Sequence, residues 1–541
     1  MPAKKKNPAA KKAVKPAARK VASKKTVASK AGVAPAVAAA VPNGTKVRVR
    51  MYRQGLGDCF LLTFFTGSHP VHMLIDCGSI GEQTTGVTLD AVGNDIVSTT
   101  HGRLGMLIAT HEHQDHLNGF LKNQVRFTSP AFKVDRVWLA WTENGADDVA
   151  QDLEKFKGDL LHTVALASNA LAIQGAAERN VKAKKRAEEL NRRVRSLLGF
   201  VGDVPAGTVV FGAKDLAKTV DEAMTWVTTR ASNTDKFLQP GMVMEPSWLP
   251  GVRVYVLGPP RDKAKINTLG KHGDENLYEL TSQGSVDFAT CASFATSSAP
   301  FAEYRAGLQG DARALFELRL PFDPRFRVEI TKDDAFRATY AAYYDPAEDW
   351  RRVDTDWLAA SGNFALQLDN ATNNTSLVLA FELIADGRVL LFPADAQLGN
   401  WLSWDEPTFK VKADGSTHDV KAADLLAKTV FYKVGHHSSY NATLKAKGLE
   451  RMRRDDLVAM IPLDSKTAEN KWEATSWPAT KVYAALCERT LGRVLRSDTG
   501  WPDASDRPST VPVTKWKAAR KKAEDKKVIA VHDLYIDYHL V

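Results

Sequence analysis

Five residues that are able to bind a metal ion or move a proton lie together in the stretch LIATHEHQDHLNGF at 107–120. The stretch contains three of the 13 histidines of the 541-residue chain, and it follows an apolar run. Neutral imidazoles and carboxylates at this spacing are ligands that borderline divalent cations prefer. The five residues are His111, Glu112, His113, Asp115 and His116. The pattern predicts a metal site, and the alternative is a polar loop that happens to follow a strand.

Further candidate ligands follow three other apolar runs that are typical of buried strands. LLFPAD ends in Asp395, FYKVGHH ends in His436 and His437, and HMLIDCG contains Asp76. Ligands at the ends of buried strands are held by rigid structure while they face an accessible edge, as a catalytic metal site requires. A single acid in this place is usually a cap or turn residue. Asp395 becomes a candidate because it lies between the histidine cluster and the later His-His pair.

Short β-rich runs alternate with helical patterns, which predicts an α/β protein. Between 147 and 200 the apolar spacing predicts two long amphipathic helices. The stretches 117–250 and 262–370 interrupt the alternation and are interpreted as large, partly helical insertions. Strands are predicted at 46–52, 59–65, 71–76, 104–110, 134–141, 252–260, 375–383, 388–395, 429–437 and 457–463.

The basic charge of the chain is concentrated at its N-terminus. Residues 1–30 contain eleven of the 73 Lys and Arg residues and no acid, so the rest is almost neutral although the whole chain has a net charge of +10. Residues 1–45 are rich in Lys, Ala and Pro and have no aromatic residue, so we predict a disordered tail. Two roles of the tail stay open. It binds nucleic acid or another polyanion by neutralising phosphates, or it only keeps the protein soluble.

Composition argues against several classes of protein. A chain that is 44% hydrophobic and 25% charged has the composition of an ordinary soluble protein. The cysteines lie far apart and form no CxxC pair, which argues against a disulfide framework and a cysteine metal site. No run approaches the roughly 20 apolar residues that a membrane helix needs. We therefore expect a cytoplasmic protein that does not interact with membranes.

The order of these residues resembles the metallo-β-lactamase fold superfamily. The cluster HEHQDH at 111–116, followed by Asp395 and His436, is similar to the HxHxDH motif of that family and its later ligands. The resemblance implies an αββα sandwich, formed here by residues 46–541 with the two insertions. A closer resemblance is to the hydrolase domain of the DNA-uptake competence protein ComEC, and it rests on the segments YRQGLGDCFLLTF (52–64), MLIDCG (73–78), NNTSLVLAFEL (373–383), LLFPADA (390–396) and KVGHHSS (433–439).

The same resemblance implies a site for two divalent ions, usually zinc, with Mn²⁺ as the alternative. Asp395 bridges the ions in this interpretation, and Asp115 and Asp395 take part in catalysis. His437 either donates a proton to the leaving oxygen or supports a ligand, and Asp58 and Asp76 orient the ligand imidazoles. The implied metal ligands are His111, His113, Asp115, His116, Asp395 and His436.

The chain departs from the family pattern at one ligand position. The family usually has a further histidine between the cluster and the bridging Asp, and the equivalent stretch VYVLGPP has Gly258 there. The remaining candidates, His162 and His272, lie in insertion sequence and are interpreted as ordinary residues. Ser438 and Trp477 also replace a family Gly and His. Because the histidine is missing at Gly258, we expect one of the two metal positions to bind its ion weakly.

These residues predict a metal-dependent hydrolase that acts through a metal-bound hydroxide, because a bound ion lowers the pKa of water from about 15.7 towards 7. A phosphodiesterase or nuclease is favoured by the resemblance, by the basic tail and by the basic helix predicted at 180–196. A hydrolase of a small-molecule ester, lactone or phosphoester is the first alternative. The second is a nucleic-acid-tethered interaction module with a degenerate metal site.

Overall fold

The structure is a computed structural model that describes residues 41–81, 83–177, 181–202, 213–268, 338–339, 361–413, 415–472 and 477–541. The prediction of a disordered tail at 1–45 falls almost wholly outside these ranges, as does most of the second predicted insertion. In the described ranges, the strands form mixed sheets and the helices pack on these sheets, which confirms the α/β class.

Each of the ten predicted strands is present, and most end a few residues earlier than the apolar pattern suggested. The candidate ligands therefore follow the strands instead of lying within them. Counted along the described chain, the strands are β1 (Val47–Tyr52), β2 (Phe60–Phe64), β3 (Val71–Ile75), β4 (Arg103–Leu104), β5 (Met106–Ile108), β6 (Lys133–Val134), β7 (Val137–Ala140), β8 (Phe237–Leu238), β9 (Val243–Met244), β10 (Val252–Gly258), β11 (Val378–Leu383), β12 (Val389–Phe392), β13 (Phe409–Ala413), β14 (Ser416–Val420), β15 (Thr429–Lys433), β16 (Val458–Ile461), β17 (Val494–Arg496), β18 (Ile529–Val531) and β19 (Tyr535–Leu540).

Two large sheets contain most of these strands. The first has the order β18-β19-β1-β2-β3-β5-β7-β8, and the second has the order β17-β16-β15-β12-β11-β10-β9. Each sheet has an antiparallel part and a parallel part. In the first sheet β3, β5, β7 and β8 run parallel, and in the second β12, β15, β16 and β17 do.

The two sheets pack face to face. Alternate residues along β11 point to opposite sides of the second sheet. Leu379 and Phe381 enter the core between the two sheets, while Val378 and Ala380 contact the helices on the outer face. Such strands are buried on both faces, which explains their continuous apolar runs. Across the interface, the rings of Phe60 on β2 and Phe392 on β12 meet edge to face, with centroids 5.8 Å apart.

Helices cover the outer faces of both sheets. In the described ranges the helices are α1 (Leu89–Thr100), α2 (Gln114–Lys122), α3 (Gln124–Phe127), α4 (Asp148–Ala177), α5 (Val181–Leu198), α6 (Ala213–Thr228), α7 (Lys263–Ile266), α8 (Ser361–Asn374), α9 (Leu398–Ser403), α10 (Ala422–Ala427), α11 (Ser465–Trp472), α12 (Thr480–Thr490) and α13 (Val513–Asp525). Helices α1, α2 and α6 pack on the first sheet, and α9, α10, α12 and α13 pack on the second.

The two helices predicted between 147 and 200 are α4 and α5, which confirms that prediction. Leu160 on α4 and Val194 on α5 share a separate apolar cluster with Phe364 on α8. Parts of both predicted insertions therefore pack together beside the two sheets. Other parts of the 117–250 stretch belong to the sheets, since β7 and β8 form an edge of the first one.

Candidate metal centre

The candidate ligands converge because parallel strands present their carboxyl ends at the same edge of a sheet. In the first sheet, Asp76 follows β3 and residues 111–116 follow the parallel neighbour β5. In the second sheet, Asp395 follows β12, and His436 and His437 follow the parallel neighbour β15. The face-to-face packing of the sheets brings these two edges together, so four strand ends predicted from sequence meet at one place.

The tightest group consists of Asp58, His116, Asp395 and His437. One possible ligand atom from each lies within 4.8 Å of all the others, and all four residues are buried. Nε2 of His116 lies 3.2 Å from Oδ2 of Asp395, and Nε2 of His437 lies 3.4 Å from the same oxygen. In the part of the chain that the structure describes, this is the group whose geometry suits a metal ion.

Hydrogen bonds on the far side of both imidazoles fix the nitrogen that faces this group. The Nδ1–H of His116 donates to Oδ2 of Asp76 at 2.8 Å. The Nδ1–H of His437 donates to the carbonyl oxygen of Pro462 at 2.6 Å. In the neutral imidazoles the lone pair is therefore on Nε2, next to Asp395. Metal-binding histidines are oriented in this way by a partner on the second nitrogen.

Asp76 has three donors on its two oxygens. Oδ1 accepts from the backbone N–H of Thr110 at 2.8 Å, and Oδ2 accepts from the Thr110 hydroxyl at 2.7 Å and from His116. The residue is fully buried. Asp76 therefore joins the end of β5 to the His116 imidazole, which is where a residue that orients this ring has to lie.

His111, His113 and Asp115 border the group. Nε2 of His111 lies 3.1 Å from Nδ1 of His113, and the ring centroids of His111 and His116 are 4.1 Å apart. Oδ2 of Asp115 lies 2.9 Å from Nε2 of His437 and accepts a hydrogen bond from it when the ring is protonated on both nitrogens. The residues that the family resemblance divides between two ions thus form one continuous cluster.

Two placements differ from the roles implied by the resemblance. Asp58, expected to orient other ligands, belongs to the four-residue group itself. His437 also belongs to that group, with Nε2 3.4 Å from Oδ2 of Asp395, whereas Nδ1 of His436 accepts a hydrogen bond from Nε2 of Gln397 at 3.0 Å. The assignment of His436 as a ligand and His437 as a proton donor stays a prediction.

The loops that carry these residues adopt an uncommon backbone conformation. Five residues without the freedom of glycine have positive φ angles of 43° to 68°: Asp76, Ala394, His436, His437 and Ser438. A non-glycine residue in this region costs about 1–3 kcal/mol, persists only where surrounding structure holds it, and is common at functional sites. The cluster is therefore a place where folding free energy is given up for side-chain placement.

Burial and charge shift the ionisation of the cluster in opposite directions. Burial alone would lower the pKa of His116, but nearby carboxylates, Asp395 foremost, raise it well above its usual value. The same balance raises the pKa of His437. Burial would raise the pKa of Asp395, but Lys433 and the histidines lower it well below its usual range. Since a cation and a proton compete for the same imidazole lone pair, metal binding has to release these protons.

Several buried nitrogen and oxygen atoms of the cluster have no hydrogen-bond partner in the described part of the chain, as expected if they bind a metal ion. Four buried atoms of the candidate ligands and their neighbours in the cluster have no hydrogen-bond partner among the described residues: Asp58 Oδ1, His113 Nε2, Asp115 Oδ1 and His116 Nε2. Buried polar atoms are nearly always paired, and each exception in a native structure needs an explanation such as a bound ion. Imidazole nitrogens and carboxylate oxygens are the donor set that Zn²⁺ and Mn²⁺ accept. The residues present therefore fit a divalent ion.

Sequence reasoning missed three polar residues of the site. Lys433, buried at the end of β15, contacts both Asp58 and Asp395. Burial and the charges of Asp395 and Asp115 raise the pKa of Asp369 on α8 to about 7. Gln397, whose side chain donates to His436, is the third. Lys433 could have been noticed inside the motif KVGHHSS, but no local pattern around Asp369 indicates that it approaches the cluster.

Gly258, in place of the expected histidine, lies against α9. A Cβ atom at this position would lie 2.1 Å from Oδ1 of Asn400, so any side chain there would displace this residue. His162 lies on α4, outside the four-residue group, and His272 lies outside the described residues. Trp477 donates its indole N–H to the carbonyl oxygen of His437 at 2.8 Å.

The first predicted insertion directly contacts the loop at 111–116, which carries the candidate metal ligands. Lys157 on α4 forms an ion pair with Glu112, which lies between two candidate ligands. The carbonyl oxygen of Phe200, just after α5, accepts from the backbone N–H of Gln114 at 2.7 Å. The Phe200 ring lies 5.3 Å from the ring of His113, measured between centroids. Helices α4 and α5 therefore help to fix the conformation of residues 111–116.

Comparison with known proteins gives no relative. No protein-family model, no curated protein and no solved structure matches the chain. None of the helices that the structure describes is long and apolar enough to cross a membrane.

Proposed function

We propose that the protein is a metal-dependent hydrolase of the metallo-β-lactamase type. The observation that carries the proposal is the buried Asp58, His116, Asp395 and His437 group, in which both histidines present Nε2 to one carboxylate. Two facing sheets with helices on both outer faces agree with the αββα arrangement of that family. A site at the carboxyl ends of the central strands agrees with it as well.

The residues of the chain divide the work of such a site. His116, His437, Asp58 and Asp395 would bind the ion, and Asp76 would orient His116. A bound divalent ion lowers the pKa of water towards 7 and so supplies hydroxide at neutral pH. The burial of the ligands keeps bulk water away from their charges, which strengthens each electrostatic interaction within the site.

His111, His113 and Asp115 extend the site on one side. Nε2 of His113 is buried and has no hydrogen-bond partner among the described residues. These side chains offer a place for a second ion, for a substrate oxygen, or for both in turn. With Gly258 in place of a histidine, the second ion would have fewer protein ligands than the first.

We propose a phosphodiester as the substrate. The support is electrostatic. The tail at 1–30 carries eleven basic residues and no acid. Helix α5 exposes Lys184, Lys185, Arg192 and Arg193 and ends two residues before Phe200, which contacts the loop at 111–116. Basic surfaces attract a nucleic acid through its phosphates, independently of its base sequence.

A hydrolysis panel tests this proposal. Purified protein supplied with Zn²⁺ or Mn²⁺ should cleave bis(p-nitrophenyl) phosphate and DNA, and Asp395→Ala should lose on the order of a hundredfold or more of that activity. Cleavage of a thioester or lactone, with no cleavage of phosphodiesters, would favour the small-molecule hydrolase. Folded protein that binds DNA but cleaves nothing with either metal would favour the interaction module.

A further inference from the structure

Lys433 is a buried cation placed between two acids of the candidate metal group. Its side chain is 1% exposed. Nζ lies 2.6 Å from Oδ2 of Asp58 and 2.9 Å from Oδ1 of Asp395, and it donates to the carbonyl oxygen of Ala394 at 2.7 Å. An ammonium group has three protons, so each of them has an acceptor.

Lys433 contacts one oxygen of each acid and does not contact the other. Oδ1 of Asp395 accepts from Lys433 and also from the backbone N–H of His436 at 3.1 Å, which occupies both of its lone pairs. Oδ2 of Asp395 remains next to the two Nε2 atoms of the group. Oδ1 of Asp58 is buried and has no hydrogen-bond partner among the described residues.

We propose that Lys433 is the built-in counter-cation of the site, an inference that rests on the proposed metal centre. It keeps Asp58 and Asp395 side by side when no metal is bound, and it leaves Oδ2 of Asp395 directed towards the metal. Its ammonium also takes the position between Asp58 Oδ2 and Asp395 Oδ1 that a further metal cation would otherwise occupy. Lys433 is thus a positioning residue that limits how many ions the site binds.

Removal of the ammonium should have two effects. Two buried carboxylates would lose their compensating charge, and the breaking of a buried ion pair is strongly destabilising. Metal-free Lys433→Met should therefore melt lower than wild type, on the order of 5 °C or more. A cation from solution should then replace the ammonium, so the variant should bind more metal per chain than wild type, and added metal should raise its melting temperature more.

The experiment compares full-length wild type, Lys433→Met and Lys428→Met. Lys428 is a matched control because its Nζ pairs with Glu382 at 3.2 Å at a half-exposed position. Zn²⁺ or Mn²⁺ is added in excess and removed by gel filtration. Metal per chain is then measured by mass spectrometry, and melting temperatures are measured with and without metal. We expect extra metal and a larger metal-induced shift in Lys433→Met alone.

The possible results distinguish failure of the counter-cation role from failure of the proposed metal centre. A Lys433→Met protein that retains wild-type metal content overturns the counter-cation role, even if its melting temperature is lower. A purely structural ion pair predicts a lower melting temperature without a change in metal content. Wild type that binds no metal overturns both proposals. If metal-free Lys433→Met does not fold, the double variant Asp58→Asn/Lys433→Met removes one carboxylate together with the ammonium. It should recover stability, and its failure to do so would also contradict the inference.

Discussion

Asp76→Asn is the variant that most sharply separates metal binding from folding. The change preserves size and shape, and asparagine tolerates the positive φ of 56° at this position. It replaces one carboxylate oxygen by an NH2 group and removes the negative charge. Three donors now reach Asp76, and one of them is Nδ1–H of His116. An amide with a single oxygen cannot accept from all three at their present positions.

The size of the effect follows from this count. One buried donor loses its acceptor, which costs about 1–3 kcal/mol of unfolding free energy. The His116 ring also loses the charge that fixes its tautomer and strengthens Nε2 as a ligand. Removal of such a partner typically lowers metal affinity about 10- to 100-fold, which corresponds to roughly 1.4–2.7 kcal/mol of binding free energy.

The assay is competition for Zn²⁺ with a chromophoric chelator, next to urea unfolding of the metal-free proteins. Asp537→Asn is the matched control, because Asp537 is equally buried and accepts two hydrogen bonds from Arg50 at 2.8 and 2.9 Å. Both variants should unfold more easily, and only Asp76→Asn should bind metal more weakly. Wild-type affinity in Asp76→Asn would refute the claim that this carboxylate orients a metal-binding imidazole.

Three further predictions concern the tail, the inserted helices and pH. Deletion of residues 1–40 should weaken DNA binding and flatten its salt dependence, measured by fluorescence anisotropy, while turnover of a small phosphodiester barely changes. Lys157→Met should weaken Zn²⁺ binding by about tenfold or less, measured by chelator competition, because it frees Glu112 beside two candidate ligands. Burial and neighbouring cations lower the pKa of His72 to about 4. The unfolded state therefore binds the proton first as pH falls from about 6.5 to 4, and His72→Asn should reduce the loss of melting temperature between pH 7 and 5.

Each of these predictions has its own control. An unchanged salt slope after deletion of the tail would leave only the solubilising role. Lys155→Met changes an exposed lysine of the same helix and should leave metal affinity unchanged, so an equal effect of both substitutions would remove the argument for α4. His69→Asn, at an exposed position, should leave the pH profile of melting as it is in wild type.

The candidate ligands were predictable from sequence because their signal is local. Residues 111–116 form a dense cluster directly after an apolar run, and Asp395 and the His-His pair follow similar runs. Strand periodicity and the rule that parallel strands end at one edge are enough to bring such residues together. The ten predicted strands are present for the same reason, since continuous apolar runs of this length are buried on both faces.

The partners of these ligands were not predictable because they come from distant parts of the chain. The acceptor for His437 is the backbone carbonyl of Pro462, and every residue type offers such an oxygen. Lysines are almost always exposed, so the position of Lys433 inside the motif KVGHHSS does not by itself indicate a buried side chain. Asp369 approaches the cluster from α8, which packs against the first insertion. Such contacts depend on tertiary packing, and a local pattern does not contain that information.

In the proposed function, the buried group of Asp58, His116, Asp395 and His437 binds a divalent cation that enables hydrolysis. The most direct test titrates metal-free protein with Zn²⁺ or Mn²⁺ while phosphodiester hydrolysis and metal-induced thermal stabilisation are followed on the same sample. We predict that both signals rise together, saturate at the same number of equivalents, and are lost together in Asp395→Ala. A hydrolysis rate that is already at its maximum without metal, or that persists in Asp395→Ala, would contradict this proposal.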